Sequence, residues 1–162
     1  DEVGVPMMVH IDTPPPTLEE VLIRMRPGDV LTHCFRPFPN TPATPEGGVL
    51  PAVLAARKRG VIFDIGHGMG SFSFKTARTM LANGFMPDCI SSDVHALCIE
   101  GPAFDLLTTL SKFICLGMPL GDVIRTATEN PARALKRGDL GTFRKDAAGD
   151  ASILTLETGR SS

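Results

Sequence analysis

Four short apolar runs organise this chain: Met7-Met8-Val9-His10-Ile11, Val30-Leu31-Thr32-His33-Cys34, Val61-Ile62-Phe63-Asp64-Ile65-Gly66-His67-Gly68 and Ile90-Ser91-Ser92-Asp93-Val94-His95. Each run favours β-structure and ends in a side chain that can bind a metal or transfer a proton. In a parallel α/β barrel, the C-terminal ends of the strands converge on one mouth, where the chemistry takes place. The four runs therefore predict consecutive strands that bring His and Asp side chains to a shared site.

Segments with helical character separate these runs. Thr17, with Glu20 three residues later, indicates a capping box at a helix start. We expect strands at residues 3–11, 29–35, 61–65 and 88–92, helices at 18–25, 49–59, 72 or 74 to 82, 103–116, 120–128 and 130–135, and two short strands within 138–143 and 151–156. Four βα units in a row predict a parallel sheet with right-handed crossovers. Because the polar residues fall at strand ends, half a barrel is favoured over an open sheet.

Length and composition exclude several classes of protein. A complete (β/α)8 barrel has about 250 residues, whereas this chain has 162. Its net charge is −2 with both signs interspersed, which disfavours nucleic-acid binding, and no apolar run is long enough to span a membrane.

The four cysteines form no C-x-x-C pair, which favours free thiols and a cytoplasmic location. The opening residues 1–4 lack signal-peptide character, which favours a cut or partial chain.

His10 and His33 are the candidate metal ligands. They end consecutive predicted strands, and adjacent strands lie about 4.8 Å apart. Two neutral imidazoles can therefore meet at one zinc ion, whose bonds to nitrogen are about 2 Å long. The alternative is that each histidine is satisfied by a backbone partner. Their equivalent positions in successive units favour the ligand interpretation.

Asp93 follows two serines at the end of the fourth predicted strand. A carboxylate at this position can take a proton from a metal-activated water and pass it to a leaving group. The alternative is an N-cap for the following turn. His95, two residues later, either orients Asp93, contacts substrate or lies in the loop without a role.

The turn around His67 is rich in glycine. Gly66 and Gly68 allow a close approach of the backbone to a ligand, and such a turn before a helix can bind an anion. It matches neither a P-loop nor a dinucleotide fingerprint.

For Asp64, inside the strand, we expect a structural hydrogen bond. Arg36 opens a long proline-rich loop, where it either clamps a substrate carboxylate or is solvated.

In these segments the chain resembles the amidohydrolase superfamily, and most closely its dihydroorotase-like deacetylase branch. The resemblance rests on the motifs around His10, His33, His67 and Asp93, and on the end of the chain, where Thr128-Glu129-Asn130-Pro131-Ala132-Arg133-Ala134-Leu135 is followed by Gly138-Asp139-Leu140-Gly141-Thr142. It covers nearly the whole chain. It implies strands five to eight of a TIM (β/α)8 barrel in residues 1–135 and part of a small β-sandwich domain in residues 136–162.

The resemblance also implies roles for individual residues. His10 and His33 match the metal ligands of the fifth and sixth strands, and Asp93 matches the eighth-strand aspartate, which binds metal and acts as general base and acid. His67, with Gly68 beside it, matches a residue facing the substrate. The family also has a His-x-His pair and a strand-end lysine, often carboxylated, earlier in its barrel. This chain contains no His-x-His.

Three functional hypotheses follow. The first is the C-terminal part of a zinc-dependent hydrolase, with one or two divalent ions, that removes an acetyl group from an N-acyl amino acid or O-acyl hydroxy acid, or opens a cyclic amide. The second is a non-catalytic half-barrel that pairs with a second copy or with a separate N-terminal half, because open sheet edges invite association. The third is a flavodoxin-like module that binds phosphate near residues 66–71; the paired histidines His10 and His33 argue against it.

Overall fold

A computed structural model describes residues 4–159 of the protein, in which three short strands and six helices are formed. The strands are β1 (Met8–Val9), β2 (Val30–Leu31) and β3 (Ile62–Phe63). The helices are α1 (Leu18–Leu22), α2 (Pro51–Arg59), α3 (Phe74–Ala82), α4 (Leu106–Cys115), α5 (Leu120–Ala127) and α6 (Glu129–Ala134). The opening residues 1–3, with the first residue of the first predicted strand, and residues 160–162 lie outside the described residues.

The sheet is parallel, in the order β1-β2-β3, as the sequence predicts. The fourth predicted strand lies beside β3, but it is reduced to a single parallel bridge between Asp64 and Cys89. Backbone bonds continue along the same edge, from His67 N–H to Ser91 O (3.1 Å) and from Gly68 N–H to Ser92 O (3.0 Å). The described sheet is open, and the fourth run follows its β3 edge.

All three strands are shorter than predicted, and β2 and β3 end early because the backbone turns where the polar residues begin. His33, just after β2, has a φ of 64°, and Gly66, just after β3, has a φ of 47°. A residue in the left-handed region cannot continue an extended ladder. The deviation therefore falls at the strand ends that carry the candidate site.

Side-chain caps explain the starts of three of the six described helices. Thr17 Oγ1 accepts from Glu20 N–H (3.2 Å) while Glu20 Oε2 accepts from Thr17 N–H (2.8 Å), which confirms the predicted capping box of α1. Ser73 and Asp105 cap α3 and α4 through their side chains. Gly60 ends α2 with a φ of 97°, which glycine adopts without steric cost.

The core lies between the sheet and the helices. Phe35, from the segment after β2, is fully buried and packs against Phe85 and Phe113, with ring centroids 6.5 and 6.3 Å apart. Burial of this apolar surface is the main stabilising contribution. Among the described residues, no helix has the length and apolar character needed to cross a membrane.

The end of the chain differs from the prediction. The strands expected within 138–143 and 151–156 are not formed in the described part, and residues 151–159 are exposed and without regular secondary structure. Isolated strands without a hydrophobic partner surface are marginal in water, which accounts for the difference. The division of the chain near residue 135 stays a prediction.

Candidate metal and catalytic site

His10 and His33 meet at one end of the sheet, as their equivalent positions predict. His33 Nε2 lies 2.8 Å from His10 Nδ1, and the two rings make an edge-on contact with centroids 4.5 Å apart. His33 is buried, whereas His10 is exposed and its Nε2 lies 3.9 Å from Asp12 Oδ2. His33 therefore has a backbone partner, Gly66 O, and a histidine partner, His10, and the ligand role of the pair stays a prediction.

The backbone fixes the tautomer of His33. Its Nδ1 lies 2.7 Å from the carbonyl oxygen of Gly66, which can only accept a hydrogen bond, so Nδ1 carries the proton. The lone pair of Nε2 then faces His10. A hydrogen bond of this kind from the distal nitrogen is typical of histidines that bind metal. Burial lowers the pKa of His33, which favours the neutral ring that a metal requires.

Asp64 joins the three segments beneath the histidines. Its Oδ2 accepts hydrogen bonds from Thr32 Oγ1 (2.8 Å) and Ser91 Oγ (2.7 Å), and the side chain is buried. The predicted structural hydrogen bond of Asp64 is thereby confirmed. Burial raises the pKa of this carboxyl group, against the lowering effect of the two hydroxyl donors.

The glycine turn brings Gly68 against Asp93. Gly68 has a φ of 52°, and a Cβ atom there would lie 2.7 Å from Asp93 Oδ2. Asp93 itself is exposed with a φ of 47°. Left-handed backbone at a residue other than glycine is uncommon and often marks a functional site. Both His33 and Asp93 have it, which is consistent with their predicted roles.

The structure places His67 inside the protein. Its Nδ1 lies 2.9 Å from the carbonyl oxygen of Gly68, its Nε2 lies 2.8 Å from Lys112 Nζ, and its ring stacks on Phe72 with centroids 4.7 Å apart. Burial and the charge of Lys112 lower the pKa of His67. Both ring nitrogens have protein partners, so substrate contact by His67 stays a prediction.

His95 lies in an exposed turn two residues after Asp93. Its Nδ1 accepts from Leu97 N–H (3.3 Å), and its backbone N–H lies 3.3 Å from the buried thiol of Cys98. The Cys98 thiol in turn contacts the carbonyl oxygen of Asp93 (3.5 Å). The described contacts of His95 are therefore local, and its orienting or substrate-binding role stays a prediction.

Arg36 is neither solvated nor free to clamp a substrate. It is buried, and its two terminal nitrogens bond the carbonyl oxygen of Ile11 (2.6 Å) and Asp12 Oδ1 (2.9 Å). The contact lowers the pKa of Asp12. Arg36 thus ties the proline-rich loop to the segment that follows His10.

The described side chains supply two of the ligands that a metal ion needs, the imidazole nitrogens of His10 and His33. Two imidazole nitrogens face each other at a separation that one ion bound at about 2 Å to each can bridge. Asp93 Oδ2 lies against Gly68, in the same turn as Gly66, whose carbonyl oxygen is the partner of His33. Within residues 4–159, however, no three or more His, Cys, Asp or Glu side chains are grouped as a complete metal site.

Sequence reasoning missed two contacts of the site. Lys112 comes from α4, 45 residues after His67, and Asp12 bridges His10 and Arg36. The only available signal for Lys112 is its place in an apolar helix beside buried Thr109 and Phe113, which does not identify a partner.

Comparison with known proteins adds two sets of relatives, whereas no family model matches the chain. A deacetylase from Brucella anthropi is 40% identical over 132 residues, which are 82% of this chain and 33% of that protein. A deacetylase from Enterococcus faecalis is 38% identical over 94% of this chain and 42% of its own length. The chain thus spans about a third to two fifths of the curated relatives it matches.

Two crystal structures share the fold. An adenine deaminase has a TM-score of 0.86 and 37% identity, covering 90% of this chain and 40% of the other. A dihydroorotase has a TM-score of 0.74 and 37% identity, covering 86% of this chain and 38% of the other. The described α/β fold, with its open sheet of three parallel strands, therefore resembles the C-terminal part of their barrels.

Gly66→Ala tests the close approach that sets the His33 tautomer. A Cβ at Gly66 would lie 2.2 Å from Thr32 Oγ1 and 2.8 Å from His33 Nδ1, and its backbone is left-handed. We expect a loss of roughly 1–3 kcal/mol in the free energy of unfolding, measured by urea denaturation. Gly70→Ala is the control, because nothing lies within 4 Å of a Cβ there. Equal stability of both variants contradicts this packing.

Asp64→Asn tests the buried carboxyl group through pH. Because the folded-state pKa of Asp64 is raised, the folded state binds more protons than the unfolded state between about pH 4 and the folded-state pKa. The wild type therefore loses stability relative to Asp64→Asn as pH rises through this window, by up to about 1.4 kcal/mol per pH unit. Urea denaturation at pH 4 to 7.5 measures the difference. A constant difference between the two proteins contradicts the raised pKa.

Proposed function

We propose, from the homology of this chain to the C-terminal part of hydrolases of the amidohydrolase superfamily, that it contributes to a metal-dependent hydrolase. The relatives are named for deacetylation, adenine deamination and dihydroorotate chemistry, so the reaction class is hydrolysis of a C–N bond, with esters as a related possibility. The proposed substrate is a small molecule, either an N-acyl amino acid, an O-acyl hydroxy acid or a cyclic amide.

The observation that carries the proposal is the convergence of His33 Nε2 and His10 Nδ1 at 2.8 Å, with His33 held by the carbonyl of Gly66. We propose that these two nitrogens and the Asp93 carboxylate hold zinc or another divalent ion. When bound, such an ion supplies Lewis-acid chemistry, which acidifies water and polarises a carbonyl. The ligand type agrees with zinc, which prefers nitrogen and carboxylate donors.

Asp93 is the proposed proton carrier. It is exposed at the end of the fourth run, where its carboxylate can accept a proton from water and return it to a leaving nitrogen or oxygen. Gly68 packs directly against this carboxylate, since a Cβ atom there would lie 2.7 Å from Asp93 Oδ2. We assign Gly68 and His95 to the wall that contacts substrate. His67 supports this wall from below.

The wider setting of the site is part of the proposal. The barrel portion would comprise residues 1–135 and the β-sandwich portion residues 136–162. The described cysteines are all free thiols, with Cys34, Cys89 and Cys98 buried, which supports a reducing, cytoplasmic location. The remaining metal ligands and strands would come from a further part of the hydrolase or from a second chain.

The open sheet supports a second candidate, a non-catalytic half-barrel that assembles with itself or with a separate N-terminal half. β1 is paired only with β2 in the described structure, and the nearby Met7 and Met8 are exposed. Unpaired edges of this kind favour association. Analytical ultracentrifugation combined with a turnover assay separates the two candidates, since an assembled protein without turnover supports the second.

Asp93→Asn tests the proposed proton carrier in the full-length hydrolase. Because the amide cannot accept and return a proton, we expect kcat for a panel of N-acetyl amino acids and O-acetyl hydroxy acids to fall by about 10²- to 10⁴-fold. Glu100→Gln makes the same chemical change at an exposed position of the following loop and should keep its activity. Unchanged turnover in Asp93→Asn would remove Asp93 from the reaction.

A further inference from the structure

Lys112 is a half-buried cation that the proposed reaction does not use. It lies on α4, and its Nζ contacts two segments at once, His67 and the carbonyl oxygen of Pro102. We propose that Lys112 is a positioning residue, which fixes the ring of His67 and thereby holds the glycine turn that packs against Asp93.

The contact with Lys112 determines the tautomer of His67. An ammonium group donates hydrogen bonds and accepts none, so His67 Nε2, 2.8 Å away, must present its lone pair. The proton therefore lies on Nδ1, which is 2.9 Å from the carbonyl oxygen of Gly68. His67 is neutral in this arrangement, and both nitrogens are satisfied inside the protein.

The ring of His67 is held on its face as well as at its edge. It stacks on Phe72, which in turn contacts Phe113 with centroids 5.6 Å apart. Phe113 follows Lys112 in α4 and is fully buried. Helix α4 therefore supports His67 by two routes, a hydrogen bond from Lys112 and aromatic packing through Phe72.

The position of His67 is transmitted to Asp93 through the backbone. His67 N–H and Gly68 N–H donate to Ser91 O and Ser92 O, the two carbonyls that precede Asp93. Gly68 also approaches Asp93 Oδ2 closely. On the other side, Pro102 belongs to the loop that follows Asp93. Lys112 thus connects the glycine turn, which is bonded to the residues before Asp93, with the loop that follows Asp93.

The structural part of this inference is independent of the proposed hydrolysis, whereas its effect on turnover rests on that function. The test compares Lys112→Met, which keeps the length of the side chain but removes the donor, with Lys112→Arg and with Lys75→Met. Lys75 is exposed on α3 and serves as the matched control. Each protein is labelled with ¹⁵N-histidine for ring resonances and with ¹⁵N at glycine and aspartate for backbone amides.

We expect His67 in the wild type to show a protonated Nδ1 and an unprotonated Nε2. In Lys112→Met the His67 Nε2 resonance and the Gly68 and Asp93 amide resonances should move. In Lys75→Met these resonances should keep their wild-type positions, and in Lys112→Arg they should return part of the way to them. A wild-type His67 protonated on Nε2 overturns the assignment, and so do unmoved Gly68 and Asp93 amides in Lys112→Met.

Turnover provides the second readout. If the hydrolase acts on acylated substrates, kcat in Lys112→Met should fall by up to about 10²-fold with KM little changed, because misplacement of a reacting group affects the chemical step. Wild-type kcat in this variant overturns the positioning role. If the wild type itself turns over no acylated substrate, the proposed function fails, and the resonances of His67, Gly68 and Asp93 alone decide the role of Lys112.

Discussion

The hydrogen bond between His33 and the carbonyl of Gly66 is the contact on which the site depends. It joins the ends of two neighbouring strands and leaves one possible protonation of the His33 ring, with Nε2 directed at His10. Only glycine fits at position 66, because any side chain would overlap Thr32 and His33. The same residue that ends the strand thus sets the direction of a candidate metal ligand.

Around this contact the protein maintains a buried polar network. Asp64 accepts hydrogen bonds from the hydroxyl groups of Thr32 and Ser91. One carboxyl group therefore links the segments after β2 and β3 to the fourth run. A buried carboxylate is costly unless it is hydrogen-bonded, and burial raises the pKa of Asp64 despite its two hydroxyl donors. Such networks fix the geometry of a site before a ligand arrives. Lys112 adds hydrogen bonds to His67 and to Pro102, which belongs to the loop after Asp93.

Much of this arrangement could be predicted from the sequence, because its signals are local. The capping box at Thr17 depends on a short-range rule, and the parallel sheet follows from the succession of βα units. The pairing of His10 with His33 followed from equivalent positions in successive units. The partner of Lys112 lies 45 residues away and had no local signal, and the buried role of Arg36 depends on tertiary packing. The strands expected near the end of the chain have no described partner surface.

Zn²⁺ affinity is the most direct test of the proposed divalent-ion site at His10 and His33. His10 is exposed, so His10→Ala removes a donor without opening the core, and the exposed His95→Ala is its control. Competition against a chromogenic chelator should show at least about tenfold weaker binding in His10→Ala, since even residues that only support a ligand contribute about 10- to 100-fold. Equal affinity of His10→Ala, His95→Ala and the wild type would contradict the account.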